Sequence, residues 1–317
     1  MKTIASVIGL ASLVGIATAA AHDVPDLTRL PVGDGKLSQG PQRGAVWSCP
    51  LPPGGGGAFA SGAWLRGDGT FDLTAKPAVD GKVTWPGRIQ IVREDDARRV
   101  NGNGLPNHPT GIYPIARDSE AFRYDRNPNS IAERPMVRTI PALPVQALSA
   151  SCLPLGPIGV MLTGVAIFNA LDALGKDAVA HEIQDACNGH PERNGTYHYH
   201  SLSVCQEGPQ AVDAHSPLMG YAFDGYGIYG HRGDDGKTLS NADLDECHGH
   251  THIVDWDGEK RTMYHYHATW EYPYTLGCFR GLIANDGRAR LGGPGGGPGG
   301  PAGPPGRGGP PPGGPRR

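Results

Sequence analysis

The polar and apolar positions of this chain alternate in short runs and rarely repeat at helical spacing. Residues 45–47, 63–65, 71–73, 82–85 and 89–92 are brief apolar or β-branched runs. Asp68-Gly69 and Asp80-Gly81 stand between them as hairpin-type turns. The spacing predicts a β-meander with few helices. Residues 158–168 form the most apolar run outside the N-terminus, interrupted by Gly159 and Gly164, and read as a central buried strand. Residues 177–186 place Val179, Ala180, Ile183 and Ala186 at helical spacing behind Asp177, a candidate cap, and predict a short helix. Residues 215–230 alternate small residues with aromatics, as in a tightly packed strand–turn–strand. The fold class that follows is mainly β with minor α, in a single compact disulfide-stabilised domain.

The two ends differ from the middle. Lys2, an apolar run over 4–16 and the small residues 17–21 have the form of a removable secretory signal. That run is short for a membrane anchor, and no later stretch is a better span. Residues 22–44 are polar and turn-rich and are expected to form a flexible leader. From 286 to 317 the chain is almost entirely Gly and Pro with scattered Arg. Such a segment has little to bury against its ordering entropy and is expected to be a disordered tail. The domain is therefore placed at 45–285.

Composition narrows the function classes. The formal net charge is −3, so no basic field advertises nucleic acid. Six cysteines in an exported chain suggest three disulfides. Cys187 with Cys205, Cys247 with Cys278, and Cys49 with Cys152 is the simplest set; cross-links between the copies described next are the alternative.

The chemistry is concentrated between Cys187 and Cys278, where one phrase occurs twice. Cys187-Asn188-Gly189-His190 is followed by Tyr197-His198-Tyr199-His200 and Cys205. Cys247-His248-Gly249-His250 is followed by Tyr264-His265-Tyr266-His267 and Cys278. Ten of the thirteen histidines fall between His190 and His267, which points to a metal. In a strand, alternate side chains share a face, so His198 and His200 lie together, as do His265 and His267. Clustered imidazoles repel when protonated, and an ion resolves that; imidazole suits copper or zinc. The expectation is one ion held by His198, His200, His265 and His267. His190, His250 and His108 are second-rank ligands or orienting donors.

Other residues carry weaker signals. Asp224-Gly225 reads as a turn, although Asp224 could also be a base facing the imidazoles. His181-Glu182 lacks the second histidine of a zinc-protease helix, and His181 with Asp185 would share only one helical face. Three functions fit: an exported metal-binding protein, with copper slightly ahead of zinc; a metalloenzyme; or a structural module stapled by its ion. The enzyme reading draws on Asp224 or Glu182 as a hydrolytic base, or on Tyr199 or Tyr266 in copper redox chemistry.

The doubled phrase resembles the YHYH-domain proteins. The resemblance runs over about 102–281. It includes Asn103-Gly104-Leu105-Pro106-Asn107-His108-Pro109-Thr110-Gly111, Asp185-Ala186-Cys187-Asn188-Gly189-His190, both Y-H-Y-H phrases and Tyr272-Pro273-Tyr274-Thr275-Leu276-Gly277-Cys278. It implies an exported, His-rich domain associated with metal binding, and no particular reaction.

Overall fold

An eight-stranded sheet carries both copies of the phrase. In the computed structural model, which describes residues 25–206 and 214–283, its strands are β1 (Pro157–Met161), β2 (Ala166–Phe168), β3 (Gly189–Pro191), β4 (Tyr197–Tyr199), β5 (Leu218–Ala222), β6 (Gly227–Tyr229), β7 (Gly249–Trp256) and β8 (Glu259–His267). Their order is β3-β4-β2-β1-β5-β6-β8-β7. Each half contains an antiparallel hairpin, a Y-H-Y-H strand parallel to the hairpin's second strand, and an antiparallel edge strand that starts at the C-x-G-H glycine.

The halves meet across β1 and β5 in a register that makes the sheet pseudo-two-fold. Val160 pairs with Tyr221, Gly159 with Ala222 and Met161 with Gly220. Gly159-x-x-x-Thr163-Gly164-x-x-Ile167 and Gly220-x-x-x-Asp224-Gly225-x-x-Ile228 are equivalent hairpins, so the sequence repeat begins well before Cys187. Gly164 and Gly225 turn them with φ of 90° and 92°, a backbone region that only glycine enters freely. The run 158–168, read as one central strand, is thus two strands and a turn. Asp224-Gly225 is the turn of the second hairpin.

Alternation sorts the side chains onto two faces. Tyr197, Tyr199, Tyr264 and Tyr266 enter the main core beside Ile167, Ile228, Met161 and Ala222. On the other face, Val160, Ala166, Tyr221 and Trp256 are covered by Val100, Met136 and Ile140. These come from a three-stranded antiparallel sheet, Ile89–Glu94, Ala97–Gly102 and Met136–Pro141. Buried Arg98 joins them: its guanidinium contacts Asp257 at 2.7 Å and lies over the Tyr221 and Trp256 rings.

Several local expectations are corrected. The meander over 45–92 is replaced by two-residue strands and isolated bridges up to the Ile89–Glu94 strand. The first segment of the expected leader that is described, 25–44, is tied down. Leu30–Pro31 pairs with Thr70–Phe71, Leu37–Ser38 pairs with Val46–Trp47, and Gly33 N–H donates to the buried Asp177. The helix expected over 177–186 is a single turn, α1 (Ala178–His181), capped by Asp177 as its sequence implies and ended by extended Glu182. His181 therefore pairs with Asp34, and Asp185 binds backbone elsewhere, so they form no common site. The proposed signal at 1–21 and the tail at 286–317 lie outside the described residues.

The disulfides are Cys49–Cys152, Cys187–Cys205 and Cys247–Cys278, each repeat copy closing on itself. With them the described residues form one compact, mainly β unit. Among these residues no helix is long and apolar enough to cross a membrane.

Candidate metal centres

Both copies build the same turn before their histidines. Asp185 accepts hydrogen bonds from the backbone N–H of Cys187 and Gly189 and from Tyr197 Oη. Asp245 accepts from Cys247, Gly249 and Tyr264 in the same way. The residue between Cys and Gly is left-handed in each, Asn188 at φ 62° and His248 at φ 77°. Glycine follows because the Tyr197 ring, or Tyr264 in the second copy, packs where a Cβ would stand. The first tyrosine of Y-H-Y-H thus locks the turn, and the turn delivers His190 opposite His198 and His250 opposite His265. Gly249→Ala is expected to displace Tyr264 from the turn and lower the midpoint of thermal unfolding by several degrees, and an unchanged midpoint in calorimetry of the variant would contradict it.

The histidines gather into two groups, one per copy, rather than one. His190, His198 and His200 form the first; His215, His250, His265 and His267 form the second. The expectation that His198, His200, His265 and His267 converge on one ion is therefore corrected. Each Y-H-Y-H strand pairs with its own hairpin, and the dyad runs between the hairpins. Strands β4 and β8 consequently stand five strand spacings apart, roughly 24 Å along the sheet.

Backbone carbonyls hold five of the seven imidazoles, His198, His200, His215, His265 and His267, in one tautomer. His198 Nδ1 lies 3.1 Å from the Thr196 carbonyl and His200 Nδ1 2.5 Å from that of Asn169. The second copy repeats this with Met263 and Gly230 at 3.2 and 2.7 Å, and His215 Nδ1 lies 2.7 Å from the Ser216 carbonyl. A carbonyl only accepts, so Nδ1 carries the proton and each Nε2 is a bare lone pair. Yet those Nε2 atoms face one another: His198 and His200 at 3.1 Å, His265 with His267 and with His250 at 3.1 Å, and His215 with His265 at 3.3 Å. A tetrahedral ion with bonds of about 2.0–2.1 Å has ligands about 3.3 Å apart, so the spacing fits such an ion.

Burial keeps these rings neutral. It lowers His198 to about 4, His200 to about 3, His250 to about 4 and His265 to about 2. Burial and neighbouring imidazoles take His190 and His267 well below the usual range. The first group is enclosed, while His215 and His250 of the second are half-buried. Phe168 stacks on His198 at 3.9 Å between centroids, and the equivalent Tyr229 packs edge-on to His265.

The remaining candidates are placed as follows. Glu182 Oε2 lies 3.5 Å from the Nε2 atoms of both His190 and His200. Asp224 is on the tyrosine face, accepting from Tyr266 Oη and Gly281 N–H, so it does not face the imidazoles. Tyr199 and Tyr266 point into the core on that same face, away from both groups. His108 accepts from Tyr199 Oη at 2.5 Å through Nε2 and lies outside both groups. It also clusters with Cys187 and Cys205, but their disulfide leaves no thiolate to bind metal. The places of His215 in the second group and of Glu182 beside the first escaped sequence reasoning. Neither has a counterpart in the other copy, so the repeat could not reveal them.

Fold and site together define a duplicated, disulfide-closed β domain with one histidine cluster in each half. Residues 137–238 match the family described as YHYH protein, which supports membership of the YHYH-domain family. The match takes in the first copy's phrase and both central hairpins and ends before the second phrase. No curated protein and no solved structure matches the chain.

Proposed function

We propose that this is an exported metal-binding protein with two mononuclear transition-metal centres, one on each half of the sheet. The observation that carries the reading is the convergence of Nε2 lone pairs whose Nδ1 partners are fixed by backbone carbonyls. Buried acceptors aimed at one another without a cation are costly, and a bound ion removes that cost. Imidazole ligands fit copper or zinc at each centre. Three disulfides fit an oxidising compartment, in line with the secretory pattern of the first residues. The test is metal content of untagged mature protein after loading with Zn2+ or Cu2+. Two equivalents per chain are expected, falling to one in His265→Ala. No bound metal with either ion would end the proposal.

A metalloenzyme is the second reading, favoured by the half-buried second centre. His250 also borders a surface pocket of about 370 Å3, lined among others by Asp245, Tyr264 and Arg280. A substrate could approach there, whereas the first centre is sealed. Ester hydrolysis by the zinc form and phenol or thiol oxidation by the copper form are the assays that separate this reading from metal handling.

A further inference from the structure

The two centres differ at one position, and the difference is chemical. Aligning the turns on Asp185 and Asp245 places Glu182 of the first copy opposite Ala242 of the second. Helix α1 stops after one turn at Glu182, whose extended backbone (φ −77°, ψ 146°) carries the side chain toward the first histidine group. There the residue is only 9% exposed. Its Oε2 has no hydrogen-bond partner, and neither ring nitrogen of His190 has one. Lys76, whose positive charge acts on it, is spent on the Val179 carbonyl and Gln184 Oε1. Asp125 and Asp172 add only negative charge around it. A carboxylate enclosed like this, with three acceptor nitrogens beside it, lacks only a cation.

We propose that Glu182 is the fourth ligand of the first centre, making it a closed cage of three imidazoles and one carboxylate that retains a divalent ion such as Zn2+, whereas the all-imidazole second centre exchanges its ion with solvent. The inference rests on the metal-binding reading above. The 3.5 Å separations from His190 and His200 match the ligand spacing of a tetrahedral ion. Three histidines and one carboxylate fill four positions and leave no open coordination site, as in structural zinc sites. The carboxylate also halves the net charge that a divalent ion brings into the interior, which matters at a site this enclosed. The second centre replaces this anion with His215, reached from outside the phrase, and opens outward. His252, whose ring lies 4.8 Å from that of His250, pairs with the exposed Asp234 at 3.1 Å.

The test is release of Zn2+ from the fully loaded, full-length protein to excess EDTA. Wild type is expected to give up one equivalent fast and one slowly, with His265→Ala losing the fast one. In Glu182→Gln, which keeps shape and removes charge, the slow phase should accelerate by about 100-fold or more. That is the upper end of what losing a ligand's mere supporting partner costs. An unchanged slow phase in Glu182→Gln would overturn the assignment while leaving two metal centres intact; a wild type that binds no zinc would overturn the underlying reading instead. Co2+ in the slowly released site of wild type supplies a readout that needs no variant. Intense visible bands of four-coordinate cobalt are expected, and a six-coordinate spectrum would overturn the cage.

Discussion

Stripping both ions is expected to lower the midpoint of thermal unfolding by about 15 °C or more. An ion present at about a thousand times its Kd stabilises the folded state by about 4 kcal/mol, so two centres contribute about 8 kcal/mol. For a domain near 250 residues each kcal/mol moves the midpoint by about 2 °C. The structure concentrates this effect, because without ions the lone pairs of His198 and His200 face each other, as do those of His265 and His267. The sites also join separate elements: Glu182 follows α1, His190 lies on β3, His198 lies on β4 with His200 just after it, and His215 reaches His265 from 50 residues away. Calorimetry of the loaded and chelator-stripped protein measures the difference. An unchanged midpoint would mean that the ions are cargo and hold nothing together.

Acid is expected to unfold the metal-free protein in a steep window below pH 6.5. The folded pKa values of His198, His200 and His265 are lowered by burial to about 4, 3 and 2. Unfolded, these rings titrate near the ordinary value of about 6.5. Below that pH the unfolded chain therefore binds more protons than the folded one, and stability falls as pH falls. The loss starts at the unfolded value and continues down to the folded ones. Each ring costs about 1.4 kcal/mol per pH unit in the window, about 4 kcal/mol per unit for three. Against a typical stability of 5–15 kcal/mol, that is enough to unfold the domain by about pH 4–5. Buried carboxylates such as Asp177, Asp185 and Asp224 are shifted upward by burial and oppose this trend. Denaturant midpoints at pH 7, 6 and 5 test the slope, and a flat profile would contradict neutral, buried rings. With ions bound, protons must first displace the metal, which moves the collapse to lower pH.

The alternation of Tyr and His already specified two opposed faces, because strand geometry leaves neighbouring side chains no other choice. The pairing of Cys187 with Cys205 and Cys247 with Cys278 was likewise legible, since each copy brackets its own phrase. So was the Asp177 cap. What the residues could not state was which strand each Y-H-Y-H would choose as partner. That choice depends on the Gly159 and Gly220 hairpins meeting back to back at Val160 and Tyr221, a contact between segments some sixty residues apart. It separates four histidines that look alike in sequence into two groups. Glu182 and His215 are decided the same way. A one-turn helix that stops early and a strand approach from outside the repeat bring them in, and neither leaves a local pattern. The sequence by itself determined the ligand chemistry and the facing of each strand, through residue type and period. Only the tertiary structure decided that the histidines divide into two groups and that Glu182 and His215 join them, because long-range strand pairing alone sets those distances.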